Sequence, residues 1–219
     1  LHCLSLFGQR LRDMHAASVR AAGTSTIRRA REDTGFMSEA EEALGHPIEV
    51  ISGIEEARLI YKGVTHSLPP NEGLRLVMDI GGGSTELIIG RRFEIFNRES
   101  LHMGCVSMSL RQFPDGRITE RLMSTAELAG AMEIRPVRER FRREGWRSAV
   151  GSSGTIKAIR EVVIQEGWSE AGITLSALER LAAELVAAGS IEKLQLKGLT
   201  EERKPVFPGG VAVLLAVFR

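Results

Sequence analysis

One stretch constrains this chain more than any other: Leu74–Gly90, reading LRLVMDIGGGSTELIIG. Two apolar runs of β type, Leu74–Ile80 and Leu87–Ile89, flank Gly81-Gly82-Gly83-Ser84. The pattern predicts a two-strand hairpin, its turn built of glycines because such turns use positive φ. A turn without side chains presents successive backbone N–H groups, which form a concave site for an anion such as phosphate. Asp79 interrupts the first run and Glu86 opens the second. A carboxylate inside an apolar strand is costly unless it is paired or ligating. Both are hard oxygen donors, suited to Mg²⁺ that bridges to phosphate. A Walker P-loop is excluded, since no Gly-Lys-Ser/Thr follows the glycines. A dinucleotide fingerprint would need a helix where Thr85–Gly90 reads as a strand. An ordinary hairpin turn stays open as the alternative.

Composition narrows the class. The chain has 219 residues, 43% hydrophobic and 26% charged, enough for one large or two small globular domains. A net charge of +1 argues against a dedicated nucleic-acid binder. Cys3 and Cys105 are far apart without metal-ligand spacing, which reads as reduced, cytoplasmic thiols. No apolar run reaches membrane-span length. The start, LHCLSLFGQRL, is no signal peptide; it lacks an initiator Met and opens inside an apolar helical pattern, so the chain is expected to be cut from a longer one.

Ahead of the hairpin, residues 1–14 read as an amphipathic helix, Ser18–Gly23 as a strand, and Ile27–Arg31 as a helix whose arginines (Arg28, Arg29, Arg31) form a solvated face. A further helix ends at Gly45. The strand Ile48–Ile51 runs into SGIEEARLIYKGV, where Ser52 and Glu55 have capping-box spacing. That occupies Glu55 and leaves Glu56 without a local task, at a helix start just past a strand's carboxyl end. Ligands bind α/β folds there, and the helix dipole favours an ionised base. Pro69–Gly73 is a turn-rich linker and the expected domain boundary.

Beyond the hairpin, Phe93–Phe96 and Glu99–Met103 suggest a third strand, Cys105–Phe113 a helix or loop, and Ser124–Trp146 an arginine-rich helix. Ser148–Gly151 is a strand that leads through Ser152, Ser153, Gly154 and Thr155 into a helix, a second candidate anion site at a helix N-terminus. Lys157 in its first turn would add charge, though Ser153 or Thr155 acting as a plain cap explains the loop equally well. Thr174 caps Leu175–Ala188, and a very apolar helix, Val211–Phe218, follows Val206-Phe207-Pro208-Gly209-Gly210.

These motifs carry a resemblance. D-I-G-G-G-S-T-E between apolar strands resembles the second phosphate motif of the exopolyphosphatase/guanosine pentaphosphate phosphatase family, within the actin–Hsp70–sugar kinase superfamily. I-S-G-x-E-E-A-R, M-G-C-V-S, G-S-S-G-T-I-K-A and L-T-E-E-R-K-x-V-F-P-G-G follow in family order across nearly the whole chain. The resemblance implies an α/β, duplicated actin-like fold, with the first domain (residues 1–72) incomplete and the second (73–219) nearly complete. The family's first motif, Asp-x-Gly-Ser-Asn-Ser, is absent.

By the same resemblance, the reaction is hydrolysis of a terminal phosphoanhydride. Glu56 is matched to the family's catalytic base, with Glu55 the alternative. Gly81, Gly82, Gly83, Ser84, Ser153, Gly154, Thr155 and Lys157 are the phosphate-binding set, and Asp79 with Glu86 the Mg²⁺ ligands. Inorganic polyphosphate is the first expected substrate and guanosine pentaphosphate the alternative. A non-catalytic phosphate- or nucleotide-binding module and a kinase of the same superfamily are readings from other classes. The full-length form is expected to be a homodimer, cytoplasmic or peripheral to the membrane, with no nucleic-acid partner. The 219 residues alone are expected to be weak or inactive and to self-associate or be poorly ordered near residues 1–70.

Overall fold

Alternation along the Gly-rich hairpin sets the architecture. Even-numbered Leu76, Met78 and Ile80 with odd-numbered Leu87 and Ile89 enter one core, whereas Val77 and Ile88 enter another. A sheet with both faces buried follows, as period-two side chains require. The computed structural model describes residues 1–30, 35–69 and 72–219. These divide into two units, Leu1–Glu56 and Ala57–Arg219. The division falls inside a helix, ahead of the Pro69–Gly73 turn where the sequence suggested it. Pro70 and Asn71 of that turn, and Arg31 of the expected basic face, lie outside the described residues.

The first unit holds α1 (His2–Leu11), β1 (Ala21–Gly23), α2 (Ser25–Ala30), α3 (Phe36–Leu44), β2 (Ile48–Val50) and the start of α4 (Gly53–Ser67). β1 and β2 pair in parallel, Ala21 opposite Ile48 and Gly23 opposite Val50. The stretch expected as strand from Ser18 begins instead as a 3-10 turn, Ala16–Ser18, and the strand is only the last three residues. α1 meets α3 at Gly8, where a Cβ would stand 2.7 Å from the carbonyl oxygens of Ala43 and Leu44. Gly45, at φ 74°, ends α3 as expected.

The second unit is built on a four-stranded sheet, in the order β5-β4-β3-β6. β3 (Arg75–Ile80), β4 (Thr85–Arg91) and β5 (Glu94–Leu101) form an antiparallel meander, and β6 (Ser148–Gly151) lies parallel to β3. The two segments expected as a third strand are one continuous strand with a bulge. Ile89 faces Asn97 while Gly90 faces Ile95, so Phe96 is the extra residue. Ala57 and Tyr61 of α4 cover the Val77/Ile88 face.

The other face packs against α5 (Cys105–Gln112), α6 (Glu120–Glu144), α7 (Gly154–Gln165), α8 (Leu175–Ala188) and α9 (Phe207–Phe218). Cys105–Gln112 is thus helix rather than loop. α9 is buried from Phe207 through Ala216 and starts earlier than its apolar run suggested, taking in Pro208, Gly209 and Gly210. The sequence pattern places those residues ahead of the helix, yet Pro is favoured in a first turn. The glycines let other elements approach: a Cβ on Gly209 would lie 2.4 Å from Ser109 Oγ, and one on Gly210 2.5 Å from Thr155 Cγ2. Thr119, Ser153 and Thr174 cap α6, α7 and α8 through their hydroxyls, the last two as expected. Among the described residues no helix is long and apolar enough to cross a membrane.

Candidate functional site

β3 and β6 run in parallel, so the loops that leave their carboxyl ends emerge side by side. One is Gly81–Ser84, the other Ser152-Ser153 running into α7. Ser152 N–H donates to the Met78 carbonyl at 2.9 Å, and its hydroxyl donates a short hydrogen bond to Asp79 Oδ2. The two Gly/Ser loops picked out by sequence therefore form one constellation, at the position where ligands gather in parallel α/β sheets.

The glycine turn does not work as the sequence suggested. None of Gly81, Gly82 or Gly83 is in the left-handed region. Close approach is what demands small residues here. The carbonyl of Gly81 accepts from Cys105 N–H at 2.9 Å, and that of Gly82 from Val106 and Ser107 N–H, each at 3.0 Å. The turn thus caps the N-terminus of α5 with backbone oxygen. A Cβ on Gly104 would lie 2.5 Å from the carbonyl carbon and oxygen of Gly82. Gly81 N–H is spent within the turn, donating to the Ser84 carbonyl at 2.9 Å. The N–H groups of Gly82, Gly83 and Ser84 have no hydrogen-bond acceptor among the described residues, so those three are the donors this turn could offer an anion.

Asp79 and Glu86 are direct cross-strand partners and share the sheet face that carries Val77 and Ile88. Their surroundings differ. Burial raises the Asp79 carboxyl above the ordinary carboxylate range, and the Ser152 hydroxyl and the Lys157 ammonium partly offset this. Glu86 is 1% exposed and accepts from Ser100 Oγ at 2.8 Å. Among the described residues no group of three or more His, Cys, Asp or Glu side chains stands ready to hold a metal ion. That fits Mg²⁺, which is commonly held by one or two carboxylates and completed by phosphate oxygens and water. Of the two carboxyl groups Asp79 is the less buried, and it would be the one within reach of such an ion.

The second loop divides its labour. Ser153 Oγ accepts from Ile156 N–H at 3.2 Å, and Thr155 is 6% exposed with its methyl against Gly210. Their side chains serve the helix and the core, which leaves the open N-terminal turn of α7 and the exposed Lys157 for an anion. Sequence reasoning missed Arg203. Its guanidinium lies so near Gly154 that a Cβ there would stand 2.6 Å from Nη2. Arg203 stands in the L-T-E-E-R-K-x-V-F-P-G-G run, where sequence reasoning assigned it no task, and its place became readable once α9 was seen packing on Thr155.

In the first unit, Ser52 Oγ accepts from Glu55 N–H at 3.2 Å, the cap expected of Ser52. Glu56 is held otherwise. Arg28 Nη1 donates to Glu56 Oε2 at 3.2 Å and to the Ile51 carbonyl at 2.7 Å. Both side chains are largely withdrawn from solvent, 26% and 16% exposed. Arg28, expected on a solvated face, is turned inward to meet this carboxylate.

A model of the Ppx/GppA phosphatase family matches residues 1–219. The chain belongs to the Ppx/GppA family. Two relatives, each named guanosine-5'-triphosphate,3'-diphosphate pyrophosphatase, come from Aeromonas hydrophila and Vibrio cholerae. Each is 45% identical over 216 residues, 99% of this chain and 43% of the relative. The chain thus spans less than half the length of those Ppx/GppA proteins. Among solved structures, an exopolyphosphatase from Cytophaga hutchinsonii is 25% identical with a TM-score of 0.77, covering 99% of this chain and 72% of that one. A Ppx/GppA enzyme from Aquifex aeolicus shares the fold at 22% identity, with a TM-score of 0.72 and coverage of 99% and 73%. The family and the α/β class expected from the motifs are borne out.

Proposed function

We propose that the full-length protein hydrolyses the terminal phosphoanhydride of guanosine 5'-triphosphate 3'-diphosphate, releasing orthophosphate. The observation that carries this reading is the 45% identity, over nearly the whole chain, to relatives bearing that pyrophosphatase name. It reverses the order of substrates suggested by the motifs, which placed inorganic polyphosphate first.

Water is a weak nucleophile, and Glu56 takes its proton as its oxygen attacks the terminal phosphorus. The bond from that phosphorus to the bridging oxygen breaks, and the electron pair leaves with the shortened nucleotide. Phosphoryl transfer of this kind is catalysed mainly by positioning and charge neutralisation. Arg28 fixes the Glu56 carboxylate by a hydrogen bond to one oxygen and leaves the other for water. The N–H groups of Gly82, Gly83 and Ser84, the first turn of α7, Lys157 and Arg203 hold phosphate oxygens. Mg²⁺ on Asp79, with Glu86 beside it, would neutralise phosphate charge when bound.

Phosphate release by the full-length protein with Mg²⁺, from guanosine pentaphosphate and from long-chain polyphosphate, tests this reading. A higher kcat/KM for guanosine pentaphosphate, lost in Glu56→Gln, is the expected result. Turnover of polyphosphate without the nucleotide would install exopolyphosphatase, the reading favoured by likeness to the Cytophaga structure. Binding of either without phosphate release would leave a non-catalytic module. Sedimentation of the full-length protein tests the homodimer that belongs to the same proposal.

A further inference from the structure

Cations gather in a second place, away from the Gly/Ser loops. Between α4 and the outer strand β5 lies a cavity of about 340 Å³, lined by Arg58, Tyr61, Lys62, Phe93, Ile95 and Arg98. Half of these residues are cationic and none is acidic, in a chain whose Lys and Arg exceed Asp and Glu by one. The clustering is therefore local segregation of charge.

The fold produces this cluster by two devices. Arg58 and Lys62 are four residues apart on α4, hence on one face, a spacing at which like charges repel. Arg98 joins them from β5. It pairs with Ile88, whose side chain packs with Ala57 and Tyr61, so Arg98 shares the α4 face. The bulge at Phe96 puts Ile95 on that face as well. Tyr61 is the buried floor, and Arg75 is near enough to act electrostatically on its hydroxyl. At the rim, Phe93 is 66% exposed in the two-residue turn after β4, its ring 5.0 Å from that of His66. Arg92, the other turn residue, is left-handed at φ 53°, a conformation uncommon for a residue with a side chain.

We propose that this groove is a second oligophosphate-binding site, taking a short run of linked phosphates from a polyphosphorylated ligand. The Lys62 ammonium on α4 and the Arg98 guanidinium on β5, with Arg58 adding positive charge beside them, match linked phosphate groups better than one carboxylate. The volume suits a small ligand and is too small for a duplex. None of the loop residues around Asp79 lines it. Glu86 and Gly90 are four residues apart on β4, so at about 3.4 Å each the groove sits roughly 14 Å along the strand from the carboxylate pair. The phosphates have two possible sources, an inorganic chain or a nucleotide. Phe93 offers a face on which a base could stack.

Titration calorimetry of the full-length protein with tripolyphosphate and with GTP tests the assignment. The wild type should bind two equivalents of tripolyphosphate. Lys62→Glu/Arg98→Glu should lose one of them, with affinity at that site down at least ten-fold, while kcat on guanosine pentaphosphate is unchanged. Lys157→Ala should weaken the other equivalent and leave this one intact. Should the charge reversal disturb folding, Lys62→Gln/Arg98→Gln should show the same loss at lower amplitude. If Phe93→Ala weakens GTP and spares tripolyphosphate, the ligand is a nucleotide; if it spares both, the ligand is an inorganic chain. A single equivalent in the wild type, or unaltered binding in both double variants, overturns the site. The substitutions lie outside the Gly/Ser loops and Glu56, so failure here leaves the proposed hydrolysis standing, and an inactive enzyme leaves this binding measurable.

Discussion

Ser152 donates its hydroxyl proton to Asp79 across 73 residues of sequence, tying the carboxyl end of β6 to that of β3. Asp79 is otherwise an acid withdrawn from water, and burial raises its carboxyl. A carboxyl whose folded pKa exceeds its unfolded one binds a proton more readily when folded. It therefore favours the native state below the unfolded pKa, and that contribution is lost as pH rises through the raised value. Asp79→Asn keeps an acceptor for Ser152 and removes the charge. Its Tm should exceed that of the wild type at pH 7. The gap should close below about pH 4, where the wild-type carboxyl protonates too. Scanning calorimetry across pH checks this; a gap constant with pH would show that charge is not its cause.

Glu56→Gln should lower kcat by about 10²–10⁴, the usual range for loss of a general base, with binding largely kept. Arg28→Ala should produce a smaller fall in kcat, because it frees the carboxylate to wander without removing it. Glu55→Gln is the control. Equal loss in Glu55→Gln and Glu56→Gln would undo the distinction between cap and base.

Gly104→Ala should disrupt the hairpin turn. Its Cβ would fall 2.5 Å from Gly82 backbone, and backbone cannot swing aside as a side-chain tip can. Overpacking of this sort costs about 1–3 kcal/mol. The same variant should weaken phosphate binding, since the displaced turn carries the N–H donors. Urea unfolding and phosphate titration together check it; lost stability with intact binding would place the anion site elsewhere.

Arg203→Gln should raise KM several-fold and leave stability within about 0.5 kcal/mol, as expected for an exposed side chain. Gly154→Ala should do the same by pushing the guanidinium away. Unchanged KM in both would remove Arg203 from the site.

Chelation of divalent cations should abolish turnover, with Mg²⁺ restoring it. Asp79→Ala should raise the Mg²⁺ concentration needed far more than Ser100→Ala, which only loosens the partner of Glu86. Undiminished rates in excess EDTA would contradict a metal at this pair.

The sequence made the hairpin, both Gly/Ser loops and the isolated Glu56 visible because each is a local signal: an acid in an apolar run, glycines between strands, an acid left over from a cap. What it hid was non-local. Arg28 looked like a solvated-face residue because helical periodicity cannot say which neighbour an arginine meets. Asn97 and Arg98 looked like a gap between strands because the bulge at Phe96 breaks alternation without breaking the ladder. Phe-Pro-Gly-Gly fell outside the expected helix because propensity counts the entropic cost of glycine and not the space it opens for Ser109 and Thr155. Arg203 stood in a matched run without a task, because nothing local shows that it lies beside Gly154.

The seating of the glycine turn on α5 has a thermodynamic corollary. Loops rich in glycine are usually floppy, and a ligand that orders them gives up part of its binding energy to do so. Here three N–H groups at the start of α5 fasten the turn through its carbonyls before any ligand arrives. The chain's loss of freedom is therefore settled during folding. Phosphate should consequently bind with little entropic penalty from the loop, and the unliganded turn should be among the more slowly exchanging parts of the hairpin in amide hydrogen exchange.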